Sequence, residues 1–229
     1  MSVDQKDISA VLANRQFLYA LFGRILGEEP TAELVDLLGS GQTALEFSLF
    51  GPAEGDYARF LAAIDGLVAE GEEGLSRLSG EYTYLFIGPH VLPSPPWESV
   101  HVSGVRQIFQ ERTLEVRNFY RSMGFLPASY PSVADDHIAI EMNFMAELAG
   151  QSLEAYQAGA EGRLGYLLER QQAFLKEHVL DWIRAFGDGL GLQKRTGPFY
   201  QLAAQAAAYF CEQDRILLEE LMVYFPHAL

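Results

Sequence analysis

Residues 81–104, EYTYLFIGPHVLPSPPWESVHVSG, place a helical pattern directly against a segment that cannot continue it. Tyr82, Leu85 and Phe86 follow the 3–4 spacing of a buried helix face. Four of the ten prolines then fall within residues 88–104, and Pro93, Pro95 and Pro96 exclude a helix interior there. Working outward, helical periodicity covers nearly everything else. It predicts helices over about 5–27, 31–38, 42–50, 56–70, 72–86, 105–123, 133–158, 163–187 and 198–224. Thr31 is placed to cap the second of these and Gly124 to end the helix before it. No sustained period-2 alternation occurs, and Val, Ile and Thr are sparse beside Ala, Leu, Glu and Gln, which disfavours sheet.

The expected fold is therefore all-α, a single helical domain of about 9–11 helices. A second non-helical stretch, 125–132, carries Pro127 and Pro131 and reads as a hinge between two lobes, 1–124 and 133–229. With 229 residues, 49% of them hydrophobic, the chain has enough apolar material for a core, and disorder is excluded.

Sixteen bases against 31 acids give a net charge of −15, which weighs against nucleic acid as a partner. The acidity is uneven. Twelve acids lie between Glu28 and Glu81, with Arg59 and Arg77 as the only bases, a local net of −10. This is either a solvated surface or a docking face for a cationic peptide. Cys211 is the only cysteine, so an intrachain disulfide and a cysteine zinc cluster are excluded. The opening MSVDQKDISA lacks the basic start and apolar run of a secretory signal, and no stretch approaches 18 apolar residues. The expectation is a soluble cytoplasmic protein without stable membrane insertion.

Phosphate-loop, dinucleotide, HExxH and GxSxG motifs are absent. His90, His101, His137, His178 and His227 are too scattered for a metal site, so neither metal nor cofactor is expected. Asp135-Asp136-His137 opens a helix, where acids complement the dipole and cap free N–H groups. His137 and Glu141, four apart, face each other along that helix. Glu141 lies beside the apolar stripe of Ile138, Met142, Met145 and Leu148, where an acid needs a partner. Trp97, stiffened by Pro95 and Pro96, is either pinned into the core or displayed as a binding anchor.

These segments together resemble the TorD/DmsD group of redox-enzyme maturation chaperones. The group's E-Y-x-x-L-F element matches Glu81, Tyr82, Leu85 and Phe86. Its G-P…P-P-W-E-S-V element matches Gly88, Pro89, Pro95, Pro96, Trp97, Glu98, Ser99 and Val100, and its D-D-H-I element matches Asp135, Asp136, His137 and Ile138. Order and spacing agree over about residues 80–150. His101 departs from the tyrosine of many relatives. The resemblance implies an all-α fold, no catalytic turnover, and binding of the twin-arginine signal peptide and apo form of a molybdenum-cofactor oxidoreductase of the dimethyl sulfoxide or trimethylamine N-oxide reductase type. It also implies a monomer or a dimer swapped at the hinge.

Such a leader carries two adjacent cations and then an apolar stretch. Glu98, Asp135, Asp136 and Glu141 are expected to supply charge, and Leu85, Phe86, Pro96 and Trp97 the groove, with Ser99 and His137 beside them. Replacing Asp136 and His137 by alanine is then expected to weaken leader binding and leave the fold intact. The alternative is a helical metal-dependent hydrolase using Asp135, Asp136, His137 and Glu141. A third reading is a scaffold whose acidic face holds a basic partner.

Overall fold

The structure is a computed structural model and describes residues 8–49, 54–89 and 91–226. The expected helical start near residue 5, the end of the 42–50 helix, and His90 and His227 lie outside the described residues. The described residues form eleven α-helices: α1 Ile8–Gly27, α2 Ala32–Leu38, α3 Gly41–Ser48, α4 Gly55–Glu70, α5 Glu72–Tyr82, α6 Glu98–Ser103, α7 Glu111–Ser122, α8 Ile138–Gln157, α9 Glu161–Glu177, α10 Ile183–Gly191 and α11 Phe199–Tyr224. A π-helical turn, Thr83–Ile87, extends α5, and a 3₁₀ turn, Val179–Asp181, joins α9 to α10. Among the described residues there is no strand, only an isolated antiparallel bridge between Trp97 and His137. The all-α expectation is met.

α1 lies along α8 at close range, and glycine makes that approach possible. A Cβ at Gly23 would sit 2.4 Å from Asn143 Oδ1, and one at Gly27 would sit 2.2 Å from Ala139 Cβ. α11 runs through the centre, buried along Ala203, Ala204, Ala206, Ala207 and Ala208. These small side chains let its neighbours pack close. Phe22, Phe47, Phe60 and Phe210 pack ring against ring between α1, α3, α4 and α11, with centroids 5.8–6.2 Å apart. Burial of these rings adds a large apolar contribution to the core.

One charged network crosses this core. Arg15 on α1 meets Asp214 on α11 at 2.5 Å, and Tyr19 donates to the same carboxylate at 2.6 Å. Arg15 also donates to Gln171 on α9 at 2.7 Å, and Gln171 donates to Ser152 on α8 at 2.9 Å. Burial alone would depress the Arg15 guanidinium, but Asp214 more than offsets it and Arg15 is held above its ordinary value.

The structure departs from the sequence reading at four places. Residues 88–104 contain a short helix, α6. Its Ser99 N–H is capped from elsewhere in the chain, by Asp136 Oδ2 at 2.9 Å. The helix expected from residue 105 begins at Glu111, because Phe109 takes a left-handed φ of 62° and Gln110 N–H is held by Thr113 Oγ1. The helix expected from 133 begins at Ile138, where the His137 imidazole accepts from Ala139 N–H. The helix expected over 163–187 breaks after Glu177. There His178 and Trp182 turn inward toward the buried carboxylates of Glu98 and Glu141, at 3.2 and 3.3 Å. Residues 125–132 lie outside the helices, as expected.

Candidate functional site at the tryptophan–histidine corner

The proline–tryptophan segment and the aspartate–histidine turn, about 40 residues apart in sequence, meet backbone to backbone. Glu98 N–H donates to Asp136 O and Ile138 N–H donates to Pro96 O, both at 2.9 Å. Across this bridge the Trp97 and His137 rings stand edge to face, with centroids 5.4 Å apart. Trp97 and His137 are half-buried residues, while Pro96, Glu98 and Ser99 behind them are buried.

The carboxylates of the corner are committed to internal partners. Asp135 holds Arg117 at 2.6 Å. Glu98 holds Arg112 at 2.7 Å and His178 at 3.2 Å. Asp136 caps α6, and Glu141 accepts from the Trp182 indole. All four are buried. These groups fasten the corner together and leave its surface to Trp97 and His137. Leu85 and Phe86 stand apart from it. Leu85 is buried in the core, and Phe86 packs on Tyr82 and Tyr200 with centroids at 5.0 and 5.2 Å. Phe86 also packs on Phe186, and Phe186 in turn contacts His101 behind the corner.

Burial pushes the His137 imidazole down to about 4, so it is neutral at pH 7. Burial, then the neighbouring charges of Glu98 and Asp136, push the Glu141 carboxyl well up from the ordinary 4.5. Its Oε1 has no hydrogen-bond partner. A carboxyl whose folded-state value is raised resists ionisation more when folded than when unfolded. Its unfavourable contribution is therefore absent below pH 4.5 and grows as pH rises. Glu141→Gln keeps an acceptor for Trp182 and removes that contribution. The variant is expected to be more stable than the parent at pH 7, because it lacks the ionisation that the buried site resists, and no more stable at pH 4.5. Thermal unfolding at the two pH values checks this; equal stability at pH 7 would refute it.

Two cavities open on either side of the bridged pair. One, of about 470 Å³, lies between α1, α8 and the 125–133 loop; His137, Phe125, Leu126 and Val133 line it, with Glu28 and Glu147 on the lining as well. No lysine or arginine lines it. The other, of about 190 Å³, is lined by Trp97, Pro95, Val91, Val100, Ile108 and Arg106. The largest cavity described, about 880 Å³, is elsewhere, between α4, α5 and the start of α11; Arg77, Lys194 and Arg195 line it beside Glu70 and Glu81. Among the described residues no three His, Cys, Asp or Glu side chains are grouped to hold a metal ion. Asp135, Asp136, His137 and Glu141 turn to separate partners, which removes the structural basis of the hydrolase reading.

Sequence reasoning met Glu28 only as the first of the twelve acids of the 28–81 stretch and did not single out Glu147. Glu28 directly follows the end of α1 and Glu147 lies on α8, and only the packing of α1 on α8 brings the two to one cavity. Arg112, Arg117, His178 and Trp182, which hold the corner from behind, carry no local signal either.

The model of the family described as "Nitrate reductase delta subunit" matches residues 52–188, more than half of the chain, and the chain belongs to that family. It is 33% identical over 134 residues to a "Probable Tat proofreading chaperone DmsD" of Haemophilus influenzae, covering 58% of each chain. It is 34% identical over 88 residues to a "Chaperone protein TorD" of Vibrio cholerae, covering 38% of each. It is 30% identical over 125 residues to a "Tat proofreading chaperone DmsD" of Salmonella typhi, covering 54% of this chain and 53% of that one. The chain thus spans between about two fifths and three fifths of the length of these curated relatives. A solved structure from Archaeoglobus fulgidus is 20% identical with a TM-score of 0.44, over 90% of this chain and 93% of that one. Among the described residues no helix is long and apolar enough to cross a membrane.

Proposed function

We propose that this chain is a cytoplasmic chaperone, not an enzyme, that binds the twin-arginine signal peptide and apo form of a molybdenum-cofactor oxidoreductase. The client is of the dimethyl sulfoxide or trimethylamine N-oxide reductase type. Binding supports cofactor insertion and delays export. One observation carries the reading. The two segments that resemble the TorD/DmsD group form a single corner, with half-buried Trp97 and His137 between two open cavities. The similarity to relatives named as Tat proofreading chaperones supports it. The corner's own surface is Trp97, His137 and the cavities beside them; Glu98, Ser99, Asp135, Asp136 and Glu141 set its shape, Pro96 backs it, and Leu85 and Phe86 pack apart from it. The 125–132 loop is the proposed hinge, and a swapped dimer would exchange there.

Calorimetry with a synthetic twin-arginine leader tests the proposal. Binding is expected, weaker with paired lysines because guanidinium geometry is lost, and reduced but not abolished by salt because apolar contact is not screened. Absence of binding to any twin-arginine leader, with no cofactor-free oxidoreductase retained on the purified chain, overturns it.

A further inference from the structure

Resting on that reading, we infer a path for the leader across the corner: its paired arginines enter the cavity of Glu28 and Glu147, and its apolar stretch crosses Trp97 to lie over Val91, Val105 and Phe109.

The two cavities are neighbours, because His137 lines one and Trp97 the other, and the rings touch. Their charges differ in sign. The first presents two exposed carboxylates and no cation. Glu28 is loosely held, by Arg24 at 3.6 Å with both side chains well exposed, a pairing that an incoming guanidinium can replace. Glu147 accepts from the neutral Gln151 amide. Phe125, Leu126 and Val133 complete the wall, so carboxylates and apolar side chains stand together, as a guanidinium on an aliphatic stem requires.

The second cavity has the opposite character. Its one charged group is Arg106, fixed over the loop by bonds to Leu92 O at 2.9 Å and Pro93 O at 3.3 Å. A paired cation is repelled there. Around it Val91, Val105 and Phe109 are each more than half exposed, and Val102 is half exposed. Phe109 is displayed on a left-handed backbone, φ 62°, a conformation unfavourable for a bulky residue. An apolar patch of this kind, rimmed by polar groups, marks an interaction surface. Charge complementarity thus fixes the direction of travel, with cations on the α1–α8 side and apolar residues on the 91–109 side.

The test is a cycle of variants and peptides on the full chain, read by calorimetry. The peptides are a twin-arginine leader, the same leader with paired lysines, and the same leader with its apolar stretch replaced by serine and glycine. Glu28→Gln with Glu147→Gln should weaken the parent leader roughly ten- to hundredfold, the scale of one or two charge-assisted hydrogen bonds. It should also erase the arginine–lysine difference while leaving sensitivity to the apolar replacement. Val105→Ser with Phe109→Ser should do the reverse. All four positions are exposed, so the fold is retained and circular dichroism verifies it. Unchanged affinity in both variants, or the two sensitivities interchanged, overturns the path while the functional reading stands. Failure of the parent chain to bind any leader overturns both.

Discussion

Asp214→Ala is expected to lower the stability of the fold by about 3–5 kcal/mol, the scale measured when one partner of a buried ion pair is removed. The Arg15 guanidinium would stay buried, at 1% side-chain exposure, with its counter-charge gone. Gln171 would remain as a neutral acceptor, and Tyr19 would lose the carboxylate that accepts its hydroxyl hydrogen bond. Losing the charge costs more than losing the contact. Replacing both partners with apolar residues, Arg15→Met with Asp214→Leu, should therefore recover most of the deficit. Denaturant unfolding of the three proteins measures both effects. A loss below about 1 kcal/mol for Asp214→Ala, or a double variant no better than the single, would show that the pair does not hold the helices together.

The second large effect concerns the corner. Asp136→Ala with His137→Ala is expected to destabilise the protein by about 2–4 kcal/mol, since it removes two helix caps worth about 1–2 kcal/mol each. Asp136 Oδ2 holds Ser99 N–H at the start of α6, and His137 Nδ1 holds Ala139 N–H at the start of α8. The sequence alone leads to a different expectation, weakened leader binding with the fold intact. The structure corrects it, because Asp136 is fully buried and at work inside the fold. Asp136→Asn with His137→Asn keeps both acceptors and should restore most of the stability.

The pH dependence has a definite sign. His137 takes up its proton near pH 4 when folded, against an ordinary 6.5. The unfolded chain binds the proton first, so this residue erodes stability as pH falls from about 6.5 to about 4. The His137→Asn variant should lose that part of the slope. An unchanged slope would count against the burial of the ring.

Much of the fold could be read from the chain, and the reasons are specific. α1, α4 and α11 each carry an unbroken 3–4 apolar pattern, and local spacing is enough to find them. The meeting of Trp97 with His137 followed from resemblance, since no periodicity links two loops about 40 residues apart. The breaks near 178 and 109 stayed hidden because their causes are distant or conformational. His178 leaves its helix for a carboxylate 80 positions earlier, and Phe109 takes a backbone angle that its residue type disfavours. The acids were found by residue type, but their internal partners were not. A buried carboxylate and an exposed one look alike in a sequence, and only packing separates Glu141 from Glu147.

The tie between Arg15 and Asp214 also bears on how the polypeptide is made. Residue 15 leaves the ribosome 199 positions ahead of residue 214. Through nearly all of synthesis the emerging amphipathic segments hold a cation that must stay wet, so α1 cannot settle into its final place. Compaction is then completed only once α11 has been released, and any product cut short before it keeps a water-seeking charge where an oily interior should close, a defect open to proteolytic clearance.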